Sequence, residues 1–120
     1  MSGNTTVPKS QLAVTMVNTT NSTVFTLQSP VPGTPIWESV MLSQGNLNVQ
    51  SVTVQPVDSF GNPIGPPVTV PNTNPLQPLI VNFSSPVTAD KLVVTLTPIN
   101  NLQPITADII DVTACMPLPG

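Results

Sequence analysis

The 120-residue sequence predicts an all-β protein, an antiparallel, jelly-roll-like β-sandwich of about eight strands, and three observations carry that prediction. Seventeen Val and sixteen Thr bias the chain toward pleated, half-buried surfaces. Sixteen Pro punctuate it so often that the longest Pro-free stretch, 9–29, is itself rich in β-branched residues, and no window sustains a helical period. Short apolar or alternating runs recur at regular spacing between clusters of turn-forming residues, as a sandwich of short strands requires.

Along the chain, residues 1–10 read as a polar N-terminal arm, 11–116 as the sandwich domain and 117–120 as a Pro-rich tail or linker start. LAVTMV at 12–17 alternates, and TVFTL at 23–27 follows the turn-prone NTTNS, so the two form a first pair of strands. SPVPGTP at 29–35 is a loop, because neither a helix nor a central strand tolerates that proline density. IWESVML at 36–42 is the next strand, with SQGN at 43–46 as its turn. In LNVQSVTVQ at 47–55 the apolar phase slips between Val49 and Val52, as a β-bulge would produce. DSFGNP at 58–63 has the punctuation of a hairpin loop and feeds 64–70, which Pro66 and Pro67 confine to a sheet edge. LIVNF at 79–83, KLVVTLT at 91–97 and ITADIIDVTAC at 105–115 complete the set, with PINNLQP at 98–104 as an exposed loop.

The charge inventory is sparse: two Lys, no Arg, no His and five acids, for a net charge of −3, with 39% of residues hydrophobic and only 6% charged. A nucleic acid or an anionic membrane has almost nothing to hold, so neither is expected as a partner. No apolar run is long enough to insert across a bilayer, and MSGNTTVPKSQ lacks the charged and apolar blocks of a signal peptide.

The same scarcity argues against an enzyme. A carboxylate pair could hydrolyse a glycoside, but Asp108 and Asp111 are three apart, which on a regular strand turns them to opposite faces unless a bulge intervenes. No Arg, His or Tyr is present to orient a substrate, so no catalytic or cofactor-binding residue is assigned. Asp58 and Asp90 suit turns, Asp108 and Asp111 flank an Ile109-Ile110 pair read as buried, and Glu38 suits an edge. A structural calcium ion, held by carboxylates and loop carbonyls, is the one metal reading left open, and the thin spread of acids assigns it to no residues.

Cys115, the single cysteine, ends the last strand, where it could form a disulfide to another domain or chain or act as a small buried hydrophobe. Trp37 is the only Trp among four aromatics, and a chain with so few large side chains places it in the core. N-glycosylation sequons begin at Asn4, Asn18, Asn21 and Asn82, a mild excess over the number that the Asn, Ser and Thr content gives by chance, and they favour secretion.

Two stretches also carry a likeness. IWESVML at 36–42 followed by NVQSVTV at 48–54 resembles the Trp-plus-strand pattern of galactose-binding-like, discoidin or coagulation-factor type C domains. ADKLVVTLTP at 89–98 and the segment 105–115 are similar to that family's closing strands and terminal Cys, so the resemblance spans 36–116. It implies a jelly-roll sandwich used in adhesion or sugar binding. Family members place an Arg-rich strand near Lys91-Leu92-Val93-Val94 and pair the terminal Cys with one near the domain start. This chain has no Arg and no second Cys, so no family binding residue carries over.

The expected function is a non-catalytic extracellular binding or adhesion module within a larger secreted protein. It would contact a protein or glycan surface through loops at one end of the sandwich, at 30–35, 58–63 and 100–104. The alternative is a structural subunit of a filament, capsid or matrix, in a virion or other assembled particle. It would self-associate through sheet edges or flat faces, where few ions need desolvating.

Overall fold

The computed structural model describes residues 5–18, 21–44, 48–73 and 77–117, and these form two antiparallel sheets. In chain order the strands are β1 (Thr5–Pro8), β2 (Ala13–Asn18), β3 (Thr23–Gln28), β4 (Ile36–Gln44), β5 (Ser51–Val57), β6 (Val68–Pro71), β7 (Leu79–Thr88), β8 (Lys91–Thr97) and β9 (Ala107–Cys115). The first sheet runs β1-β9-β4-β7 and the second β2-β3-β8-β5-β6.

The pairings are nested. β1 pairs with β9, β3 with β8, β4 with β7 and β5 with β6, so the first strand meets the last and each later pair lies inside the one before. A long antiparallel hairpin rolled over on itself has this pattern, which is the jelly roll that the sequence predicts. β2 is an addition to it, a hairpin partner of β3 at the sheet edge.

Strand alternation supplies the core. Phe25 and Leu27 on β3, Val52 and Val54 on β5, and Leu92, Val94 and Leu96 on β8 point inward, each 1% exposed or less, while Thr26, Thr53, Val93 and Thr95 between them point out. From the other sheet Trp37, Val40 and Leu42 meet Val81, Ile109, Val112 and Ala114. Each fully buried Val or Leu contributes roughly 1.5–3 kcal/mol relative to its exposed state.

Three local features differ from the sequence reading. Thr5–Pro8, read as part of a polar arm, pair with β9 because Val7 belongs to the core and is 5% exposed. A single 3-10 turn at Lys9–Gln11 then carries the chain from the edge of one sheet to the edge of the other. The phase slip between Val49 and Val52 is not a bulge, since β5 begins at Ser51 and Val49 is buried in the connection before it. The bulges lie elsewhere, at Glu38 on β4 and at Ile110 on β9.

These bulges explain two apolar triplet spacings. Trp37 and Val40 both face inward, as do Ile109 and Val112, because one extra residue resets the alternation in each strand. Ile110 is consequently 38% exposed instead of buried beside Ile109. Asp108 and Asp111, each next to an inward residue, both lie on the outer face and not on opposite faces.

The register also fixes which loops share an end. Gln28, Val57 and Lys91 are cross-strand neighbours, Ile36 pairs with Thr88 and Cys115, and Thr34 Oγ1 donates to Asp90 Oδ1 at 2.9 Å. The connections β3–β4, β5–β6 and β7–β8 therefore share one end with the close of β9. Gly33 stands there with φ +126°, and a Cβ on it would lie 2.7 Å from Pro117, so the chain exit packs against the β3–β4 loop. The β8–β9 loop emerges at the opposite end, where Ser51 pairs with Thr97 and Pro71. The expected clustering of 30–35, 58–63 and 100–104 at one end is thus corrected: the third loop lies at the far end from the other two.

Trp37 closes the first end. Its indole Nε1 donates to the Ala89 carbonyl at 2.8 Å, and the Ala89 amide donates to the Pro35 carbonyl at 3.3 Å. Replacing Trp37 by Phe leaves that buried carbonyl without a donor and opens a void. The expected loss is roughly 2–3 kcal/mol of unfolding free energy, measured by denaturant titration.

Candidate binding surface on the β5–β6 connection

The β5–β6 connection is built around one carboxylate. Asp58 Oδ1 accepts from the backbone amides of Phe60 and Asn62, both at 2.9 Å, and Oδ2 accepts from Asn62 Nδ2 at 3.3 Å. Backbone bonds close the turn from both sides, Asp58 N to Asn62 O at 2.9 Å and Gly61 N to Asp58 O at 3.1 Å. Gly61 takes φ +88°, which a side chain would strain. The Asn62 amide does most to hold the Asp58 carboxyl below its ordinary value of 3.8; desolvation opposes it, and the Phe60 amide, the Asn62 side chain and the Gly61 amide add to it.

This locked turn presents Phe60 to solvent, with the ring residue 88% exposed. Further along the connection, Gln55 Nε2 donates to the Gly65 carbonyl at 2.7 Å and the Ile64 amide to the Pro56 carbonyl at 3.0 Å. These bonds hold the returning chain against β5. Beside it lies an open groove of about 220 Å³ between the edges of the two sheets, lined by Pro56, Gly65, Pro66, Val68 and the run from Phe83 to Val87, which includes Ser84 and Ser85. No charged side chain lines it. Ligand pockets for drug-sized molecules run from roughly 300 to 1,000 Å³, so this groove fits one side chain or one sugar ring.

The opposite end is organised by amides. Asn48, 8% exposed, donates through Nδ2 to the carbonyls of Asn100 and Gln103 at 3.1 and 2.9 Å, while its Oδ1 accepts from the Asn100 amide at 2.7 Å. Asn72 Nδ2 donates to the Val49 carbonyl at 2.8 Å. The β8–β9 loop, clamped in this way, exposes Leu102 at 87% and Ile99 at 66%. Sequence reasoning overlooked Asn48, although the slip in apolar phase at Val49 marks the place where the strand stops and a side chain must serve the backbone instead.

The other sequence-predicted residues are dispersed. Asp108 is engaged by Lys9 Nζ at 2.6 and 2.8 Å, an exposed pair worth about 0–1 kcal/mol. Asp90 is bound by Thr34, and Asp111 lies opposite Pro8 and Met41 on the outer face. Glu38 forms the β4 bulge. Among the described residues no three of His, Cys, Asp or Glu come together as metal ligands would. Cys115 is buried at the end of β9, so a disulfide to another chain would require it to leave that site. Asn18, Asn21 and Asn82 are exposed, and Asn4 lies outside the described residues.

Two outcomes follow from these hydrogen bonds. Asn48→Ala removes three hydrogen bonds to the backbone of the β8–β9 loop, leaving the Asn100 carbonyl only the Gln103 amide, with an expected cost of roughly 1–3 kcal/mol and faster amide exchange confined to 98–104. Asn48→Asp, which sets a carboxylate oxygen against the carbonyls of Asn100 and Gln103, is expected to cost at least as much at neutral pH. For Asp58 the folded pKa is depressed, so its hold on the turn is full above the unfolded value of 3.8 and is lost as pH falls through the lower folded value. The Phe60 and Asn62 amide resonances should stay constant above about pH 5 and shift together toward pH 2.

Compared with known proteins, the chain matches no family, and no curated protein matches it in sequence, so its function has to be argued from this geometry.

Proposed function

We propose that the protein is a non-catalytic extracellular binding or adhesion module that contacts a protein or glycan surface through the β5–β6 connection. One observation carries the reading: Phe60 is 88% exposed on a turn already fixed by five hydrogen bonds that involve Asp58 or Asn62, beside an uncharged groove. An exposed aromatic side chain held on a rigid turn can bury area on contact while losing little conformational freedom. Its face can stack on the apolar side of a sugar ring or enter a cleft on a protein. The neutral lining of the groove suits the same kinds of partner, since no ion must be stripped of water. Exposure of Asn18, Asn21 and Asn82 supports the extracellular setting, because a glycan there would not intrude on the core.

A second reading, the structural subunit that self-assembles, is favoured by a different observation: the edge strand β2 carries no charge and no proline.

The binding reading is tested by probing a glycan array and a cell-surface binding assay with the wild-type chain and the Phe60→Ala variant. Wild-type binding that falls roughly tenfold or more in Phe60→Ala, at unchanged thermal stability, is expected. Equal binding by both proteins would overturn the assignment of the β5–β6 connection, and silence on every glycan would remove the sugar version.

A further inference from the structure

Among the described residues the sandwich has four edge strands, and they are not equally guarded. β1 ends on Pro8, β7 contains Pro86, and β6 ends on Pro71 after the Pro66-Pro67 pair. Proline removes an edge donor and blocks the addition of another strand. β2, with the sequence AVTMVN, has no Pro, no Gly and no charge, and its register with β3 is unbroken from Ala13 to Asn18.

Its burial pattern shows an open side. Thr15, Met16, Val17 and Asn18 are exposed in succession, whichever face each one points to. Met16 lies opposite the buried Phe25, on the core-facing side of its sheet, yet is 52% exposed, and Val17 is 57% exposed.

We propose that β2 is the site at which a second copy of this chain adds, strand to strand and antiparallel, joining two five-stranded sheets into one of ten. The proposal rests on the assembly reading above and names its interface. Charge and symmetry select the second copy as the occupant. A strand with no charge meets no like-charge repulsion when set against itself, whereas most edges bearing Lys or Glu would. Directly opposed residues of an antiparallel pair lie on the same face, so a two-fold axis normal to the sheet must pass through a residue position and not between two.

Placing the axis at Thr15 sets Val14 against the partner's Met16 and Ala13 against the partner's Val17, so both exposed apolar side chains meet apolar ones. Centring it on Met16 instead would set Val14 against the partner's Asn18, and Thr15 against the partner's Val17. The geometry therefore points to Thr15 on the axis.

The test uses the whole chain, produced without glycosylation so that no glycan on Asn18 crowds the edge. Sedimentation velocity over a wide concentration range should show a monomer–dimer equilibrium. Thr15→Lys should remain monomeric at every concentration with unchanged circular dichroism and melting temperature, since residue 15 faces solvent. In a Cys115→Ala background, Thr15→Cys should form an intermolecular disulfide under mild oxidation, because opposed Cβ atoms sit about 4.5–5.5 Å apart. Thr69→Cys on the proline-flanked β6 should not. An oligomer that survives Thr15→Lys and gives no residue-15 disulfide would overturn this interface and leave assembly standing through another surface. A wild-type chain that stays monomeric throughout would overturn both.

Discussion

Trp37 bridges the two sheets at the point where the chain crosses between them. Its ring is buried among β4 and its neighbours, and its single polar atom reaches the carbonyl of Ala89, in the two-residue connection between β7 and β8. That connection in turn receives Thr34 through Asp90 and is tied to Pro35 through the Ala89 amide. The end of the sandwich that carries Phe60 is therefore closed by one indole, one carboxylate and a handful of backbone bonds. An indole supplies the largest apolar side chain and a donor in the same group, which is why one Trp can serve a core otherwise made mostly of Val and Leu.

The fold was legible because its signals are local and repeated. Alternation in LAVTMV, TVFTL and KLVVTLT marks strands whatever their partners, and the prolines at 30–35 and 66–67 mark where pairing must stop. What the sequence concealed depends on pairing. Val7 looks like one apolar residue in a polar stretch until β9 lies beside it. Ile110 looks buried until the bulge opposite Met41 and Leu42 turns it outward. The location of the β8–β9 loop, at the far end from 58–63, follows only from knowing which strands are neighbours.

The candidate site was half legible. DSFGNP announces a turn, and Asp58 belongs to it on propensity alone, because a carboxylate that caps nearby amides competes well with water. The exposure of Phe60 was not readable, since an aromatic residue in a short loop is as easily folded back onto the core. Asn48 was hidden for a related reason. Polar and apolar residues alternate around it as they do on a strand, and only the three-dimensional course of 98–104 shows that its amide substitutes for a missing strand partner. No buried side-chain nitrogen or oxygen among the described residues lacks a hydrogen bond, so a nearly ion-free interior leaves none of its polar side-chain atoms unsatisfied.

The nested pairing of the strands has a consequence in time as well as in space. β1 cannot find its partner until β9, close to the other end of the sequence, has been made, and most of the remaining pairs also join distant segments. Chains dominated by such non-local contacts fold slowly, because the entropy of closing large loops is lost before the contacts repay it. β2 and β3, by contrast, are separated by only four residues, 19–22, and can form early. Among these pairings, the first that synthesis can complete is thus a hairpin whose outer strand is the one described edge without a proline, waiting beside an unfinished sheet.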